Sequence, residues 1–145
     1  MDAAKATEAQ TIADQIRFCE IPAPSFKEEA RGKALQRVFT QLGLQNVRVD
    51  TVGNVLGEYP GAAPHPHLVL AAHLDTVFPE GTDVKVKREG ALLKGPGIGD
   101  DCRGLAVIVA IIRTMKQANV HTPGDRKSTR LNSSHPRLSR MPSSA

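Results

Sequence analysis

Leu68-Val69-Leu70-Ala71-Ala72-His73-Leu74-Asp75, followed a loop later by Gly95-Pro96-Gly97-Ile98-Gly99-Asp100-Asp101, is the stretch whose reading decides the fold. The apolar run 68–72 has the length and composition of a strand buried on both faces. Side chains two apart on a strand share a face. His73 and Asp75 are therefore expected side by side, the imidazole offered to a metal and the carboxylate holding the ring's other N–H. The glycine run turns the chain tightly enough for the Asp100 carboxylate to reach the same ion. Imidazole and carboxylate together suit zinc and similar divalent ions. A carboxylate ahead of a helix could also bridge two ions about 3.5–4 Å apart and help activate a water between them. Singly, each residue has a plainer reading. A lone histidine at a strand end is ordinarily a satisfied polar group, Asp100 and Asp101 are ordinarily helix caps, and Asp75 would pass for a turn residue. The combination with the glycines points to a metal.

The flanking elements fit an α/β layout. Ile12, Ile16 and Cys19 at helical spacing predict a first helix from about Lys5 to Cys19, ended by Pro22 and Pro24. Ser25-Phe26-Lys27-Glu28 has the form of a capping box. The helix it opens carries Ala30, Ala34, Val38 and Leu42 on one stripe, with Gly43 placed to stop it. The period then changes: Val47-Arg48-Val49-Asp50 alternates, Gly53-Asn54 turns, and Val55-Leu56-Gly57-Glu58-Tyr59 returns. Residues 60–66 read as a loop, with His65-Pro66-His67 expected at the surface. Residues 84–87 and 91–94 predict a hairpin around Glu89-Gly90, with Lys85, Lys87 and Arg88 as its solvated face. Residues 105–115 predict a strongly apolar helix capped by Asp100 or Asp101. Helices on either side of a mixed sheet make an α/β sandwich.

Composition excludes several classes. The chain has 145 residues, 40% of them hydrophobic, and no Trp, which is one domain's worth with an aliphatic core. Its net charge of +4 suggests nucleic acid only until it is located. Arg126, Lys127, Arg130, Arg137 and Arg140 stand against Asp125 at the end, leaving 14 basic and 14 acidic residues before it. No nucleic-acid partner is expected. Cys19 and Cys102, the 2 cysteines, read as free thiols in a reducing compartment. No apolar stretch approaches a membrane span and no secretory signal is seen, so the expectation is a cytoplasmic protein without a membrane partner. Gly95-x-Gly97-x-Gly99 is a poor dinucleotide fingerprint, because Asp100 stands where glycine is wanted and paired carboxylates repel pyrophosphate.

The end of the chain differs in kind. Gly124-Asp125-Arg126-Lys127-Ser128-Thr129-Arg130-Leu131-Asn132-Ser133-Ser134-His135 has no periodicity and resembles the translation of a common sequencing-library adapter. Ser139-Arg140-Met141-Pro142-Ser143-Ser144-Ala145 matches the adapter's continuation. The expected organisation is a truncated catalytic part over 1–123 and a disordered adapter translation over 124–145.

Ala72-His73-Leu74-Asp75-Thr76-Val77, with Gly95-Pro96-Gly97-Ile98-Gly99-Asp100-Asp101-Cys102-Arg103-Gly104, resembles the zinc exopeptidases and amidohydrolases. That family includes glutamate carboxypeptidase, tripeptidase T, acetylornithine deacetylase and succinyl-diaminopimelate desuccinylase. Ile21-Pro22-Ala23-Pro24-Ser25 looks like the family's approach to its second helix, and the resemblance spans about residues 10 to 123. It implies the N-terminal part of a three-layer α/β/α catalytic domain with a mixed sheet. His73 would ligate one metal, Asp75 would serve catalysis by orienting it, and Asp100 would bridge two metals. Asp101 would cap the helix or support the site from behind. The resemblance further implies two Zn2+ ions in the intact parent, with Co2+ or Mn2+ as substitutes, and a homodimeric parent. Substrates would be small peptides or N-acyl amino acids cleaved at an amide bond. Cys102 and Arg103 depart from residues common in relatives, Cys102 being expected as a helix-face thiol. The family's later Glu-Glu pair has no counterpart, since no Glu follows Glu89. The fragment by itself is therefore expected to be inactive. The alternatives are a metal-free, non-enzymatic binding module and an amidohydrolase acting on carbamoyl or ureido groups.

Overall fold

The computed structural model describes residues 7–63 and 68–123. Along the chain run α1 (Glu8–Cys19), α2 (Glu29–Gln41), β1 (Gln45–Val49), β2 (Val55–Glu58), β3 (Lys87–Glu89), β4 (Leu92–Lys94) and α3 (Cys102–Gln117). Lys5, His65, His67 and the segment 124–145, each the subject of an expectation above, lie outside the described residues.

The three helices form where the apolar spacing predicts them. Gly43, at φ 67°, closes α2 in a Schellman motif: Leu44 N–H donates to Phe39 O at 3.1 Å and Gly43 N–H to Thr40 O at 2.9 Å. Asn119, at φ 49°, ends α3 in the same way, with Val120 N–H donating to Met115 O at 2.8 Å. Between α2 and the site, β1 and β2 form an antiparallel hairpin. Asp50 organises its turn, accepting from Val52 N–H at 3.0 Å and Asn54 N–H at 2.8 Å. The second hairpin pairs Lys87 with Lys94 and Glu89 with Leu92. Its first strand thus begins at Lys87, not at Val84. Phe18, Leu35, Phe39, Val55, Leu74, Leu105 and Val109, all at 0% exposure, gather one core from all three helices, β2 and the His73 segment.

Two expectations fail here. Residues 68–72 belong to no strand, and Leu68 and Val69 are half exposed. A central α/β strand owes its burial to neighbours on both sides, and among the described residues no strand pairs along 68–72. Among the described residues the strands pair as two two-stranded sheets, β1 with β2 and β3 with β4. The Ser25–Glu28 capping box does not form either. Glu28 is the N-cap of α2 and makes no side-chain cap bond. Phe26, at φ 68°, turns the backbone so that its own N–H donates to Glu28 Oε1 at 2.6 Å, while the Ser25 hydroxyl points elsewhere.

Candidate active site

Leu74 anchors the first motif in the core, and alternation puts His73 and Asp75 together on the other side. Burying a leucine is worth ~2 kcal/mol, so this anchor fixes which face His73 and Asp75 take. The backbone around it is clasped to the loop that follows α1. Arg31 of α2, 1% exposed, donates Nη1–H to Leu74 O at 2.6 Å. It also donates Nη2–H and Nε–H to Ile21 O at 2.7 and 3.2 Å. Burial lowers the Arg31 pKa from its ordinary value, a cost that these carbonyl bonds offset. Thr76 N–H donates to Ala23 O at 2.8 Å, and Pro24 and Thr76 form a parallel bridge.

The glycine-rich turn then carries Asp100 and Asp101 to the same place. Gly97 has φ 76° and packs so tightly that a Cβ there would lie 2.7 Å from Thr76 Cγ2. No other residue suits that position. Asp101 is the N-cap of α3 and also braces the site. Its Oδ1 accepts from Gly104 N–H at 3.0 Å and its Oδ2 from His73 N–H at 3.2 Å. A Cβ on residue 104 would fall 2.1 Å from Asp101 Oδ1. The peptide between Asp100 and Asp101 is cis.

At the centre, the Nδ1–H of His73 faces two acceptors, Asp75 O at 2.9 Å and Asp75 Oδ1 at 3.2 Å. The other ring nitrogen, Nε2, lies 2.9 Å from Asp100 Oδ1. The Asp75 side chain is almost fully buried, whereas Asp100 is open to solvent. Burial lowers the His73 pKa, but the bond to Asp100 and the charges of Asp101 and Asp75 outweigh it. The net shift is upward. The Asp100 carboxylate facing Nε2 thus favours the protonated ring. A divalent cation would neutralise the same pair, and a neutral imidazole with a carboxylate suits zinc-like ions.

All three sequence-predicted residues, His73, Asp75 and Asp100, are thus brought together. Among the described residues no group of three or more His, Cys, Asp or Glu is arranged to hold a metal. Cys102 lies off the site. It is buried beside Cys19, and burial pushes its thiol pKa up to about 12. Two contributors escaped the sequence reading. Arg31 had no signal beyond an arginine on the buried stripe of α2. Ser25 was hidden by its match to a capping pattern; its hydroxyl donates to Asp75 Oδ2 at 3.1 Å.

Known proteins resemble this chain in sequence and in fold. The model of peptidase family M28 matches residues 54–130, just over half of the chain. Carboxypeptidase G2 of Pseudomonas sp. strain RS-16 is 32% identical over 102 residues, which cover 66% of this chain and 24% of that protein. The aminopeptidase PepT of Bacillus cereus superposes with a TM-score of 0.74 at 22% identity, over 86% of this chain and 36% of that one. A Bacillus subtilis dinuclear metal-binding peptidase of the M20 family superposes with a TM-score of 0.62 at 18% identity, over 88% of this chain and 35% of its own. At these identities the structural likenesses show the fold alone, that of α/β peptidase catalytic domains. The chain spans well under half the length of these relatives.

Proposed function

The chain belongs to peptidase family M28, among the zinc exopeptidases and amidohydrolases, and from that membership we propose that it is the N-terminal part of a dinuclear metallo-hydrolase catalytic domain. The intact protein would cleave amide bonds of short peptides or N-acyl amino acids. The observation that carries this is the convergence of His73 Nε2 on Asp100 Oδ1 at 2.9 Å, with the opposite ring nitrogen held by Asp75. His73 and Asp100 would hold the metal, Asp100 in the bridging position. Zinc bound there would polarise an amide carbonyl and lower the pKa of a water.

The chain's own residues do the rest. Asp75 keeps the His73 proton on Nδ1, leaving the Nε2 lone pair free to ligate. Asp101 fixes the backbone of His73 and the start of α3 together, so the two ligand-bearing segments move as one. The family resemblance implies a later Glu as general base, and no Glu follows Glu89. The chain by itself should therefore bind metal weakly and lack hydrolytic activity. Calorimetric titration with zinc is expected to show one weak site, lost in His73→Ala and in Asp100→Ala. Two tight zinc sites in the wild-type chain would overturn the reading.

A further inference from the structure

We propose that Ser25 is a positioning residue for His73, acting through the Asp75 carboxylate. The Asp75 side chain is 3% exposed and its two oxygens have different partners. Oδ1 accepts from His73 Nδ1–H at 3.2 Å, and Oδ2 accepts from the Ser25 hydroxyl at 3.1 Å. A buried carboxylate needs its lone pairs satisfied, and a carboxylate free to rotate holds neither ring nitrogen in place. The Ser25 bond fixes that rotation.

The surroundings of Ser25 hold it for this task. Ala23 and Pro24 are tied to Thr76, one residue past Asp75. Arg31 ties Ile21 to Leu74, one residue before it. Lys27 N–H closes a turn onto Pro24 O at 2.9 Å, and Phe26 takes the left-handed conformation with its ring 89% exposed. A bulky side chain rarely adopts that conformation without a constraint. Here the turn delivers the Ser25 hydroxyl to the carboxylate and leaves the phenyl ring without a core contact. Ser25 therefore belongs to the outer support of the ligand, a layer whose loss typically weakens metal binding about 10–100-fold.

The inference rests on the proposed metal-ligating role of His73, and its test separates the two. Ser25→Ala and Ser25→Thr would be made in the full chain. Thermal melting checks the fold: Ser25→Thr should melt as the wild type does, and Ser25→Ala, which leaves Asp75 Oδ2 without its hydroxyl partner, at a lower temperature but in one cooperative transition. In the metal-free chain, the His73 Nδ1–H proton is followed by NMR; its exchange with water reports how firmly Asp75 holds it. Zinc affinity is then measured by competition with a chromophoric chelator. Ser25→Ala is expected to speed exchange of that proton and to weaken zinc about 10-fold or more. Ser25→Thr, which keeps the hydroxyl, should restore both. Unchanged proton exchange in Ser25→Ala overturns the positioning role. Faster exchange in a chain that never binds zinc would support Ser25 while overturning the metal reading.

Discussion

Asp101 shows how one side chain can serve two structures at once. Its two oxygens close the first turn of α3 and hold the backbone N–H of His73. Replacing it by alanine should cost about 1–2 kcal/mol, the usual loss of a helix cap, read by urea denaturation. Gly104→Ala attacks the same contact from the other side, because its methyl group would occupy the space of Asp101 Oδ1. The double variant should therefore cost no more than the worse single variant. Simple additivity in the double-mutant cycle would show that the two act independently. Cys102 makes a different prediction. Its thiol is neutral in the fold, with a pKa raised from 9.0 to about 12, so the unfolded chain ionises first. The contribution to stability is fully present below the ordinary thiol pKa and declines as pH rises toward about 12. Thiol reagents should label neither cysteine in the native chain near neutral pH and both after unfolding.

Among the elements, α2 and α1 hold the site in place by contrasting means. From α2, Arg31 reaches through the core to the carbonyls of Ile21 and Leu74. Arg31→Met keeps the bulk but strands these acceptors, at about 1–3 kcal/mol for each group left unsatisfied. Arg31→Lys should rescue little of this, because an ammonium lacks the planar fork. From α1, Asp14 pairs with Arg113 of α3 at 2.7 Å, the two side chains being 4% and 16% exposed. Asp14→Ala should destabilise by about 3–5 kcal/mol, as expected when one partner of a buried pair is removed. Chemical denaturation of the three variants tests both statements. The helices themselves were legible because apolar spacing, Gly43 and the Asp101 cap are local signals. The Ser25–Glu28 pattern misled, because a capping box and a serine serving a carboxylate 50 positions away look alike in one dimension.

For the molecule as a whole, the covered and uncovered faces are unequal. A groove of about 700 Å3 between α1 and α3, lined by Ile12, Val107, Ile111 and Met115, includes none of the candidate site residues. Leu68, Val69, Val77 and Phe78 are exposed as well. No helix among the described residues is long and apolar enough to cross a membrane. Assays with short peptides and N-acyl amino acids in the presence of zinc should show no hydrolysis by this chain; turnover abolished in His73→Ala would contradict the proposal that it carries no general base for the site. The sequence by itself determined the candidate residues His73, Asp75 and Asp100, their order and the helix that follows them. Those follow from side-chain chemistry and from periodicities that act over a few residues. Only the tertiary structure decided that residues 68–72 pair with no strand among the described residues, because a strand exists through its neighbours. It alone set His73 Nε2 against Asp100 and placed Ser25 and Arg31 around Asp75 and Leu74. Those contacts join segments far apart in the chain, and burial, not local propensity, fixes which of their polar groups must meet.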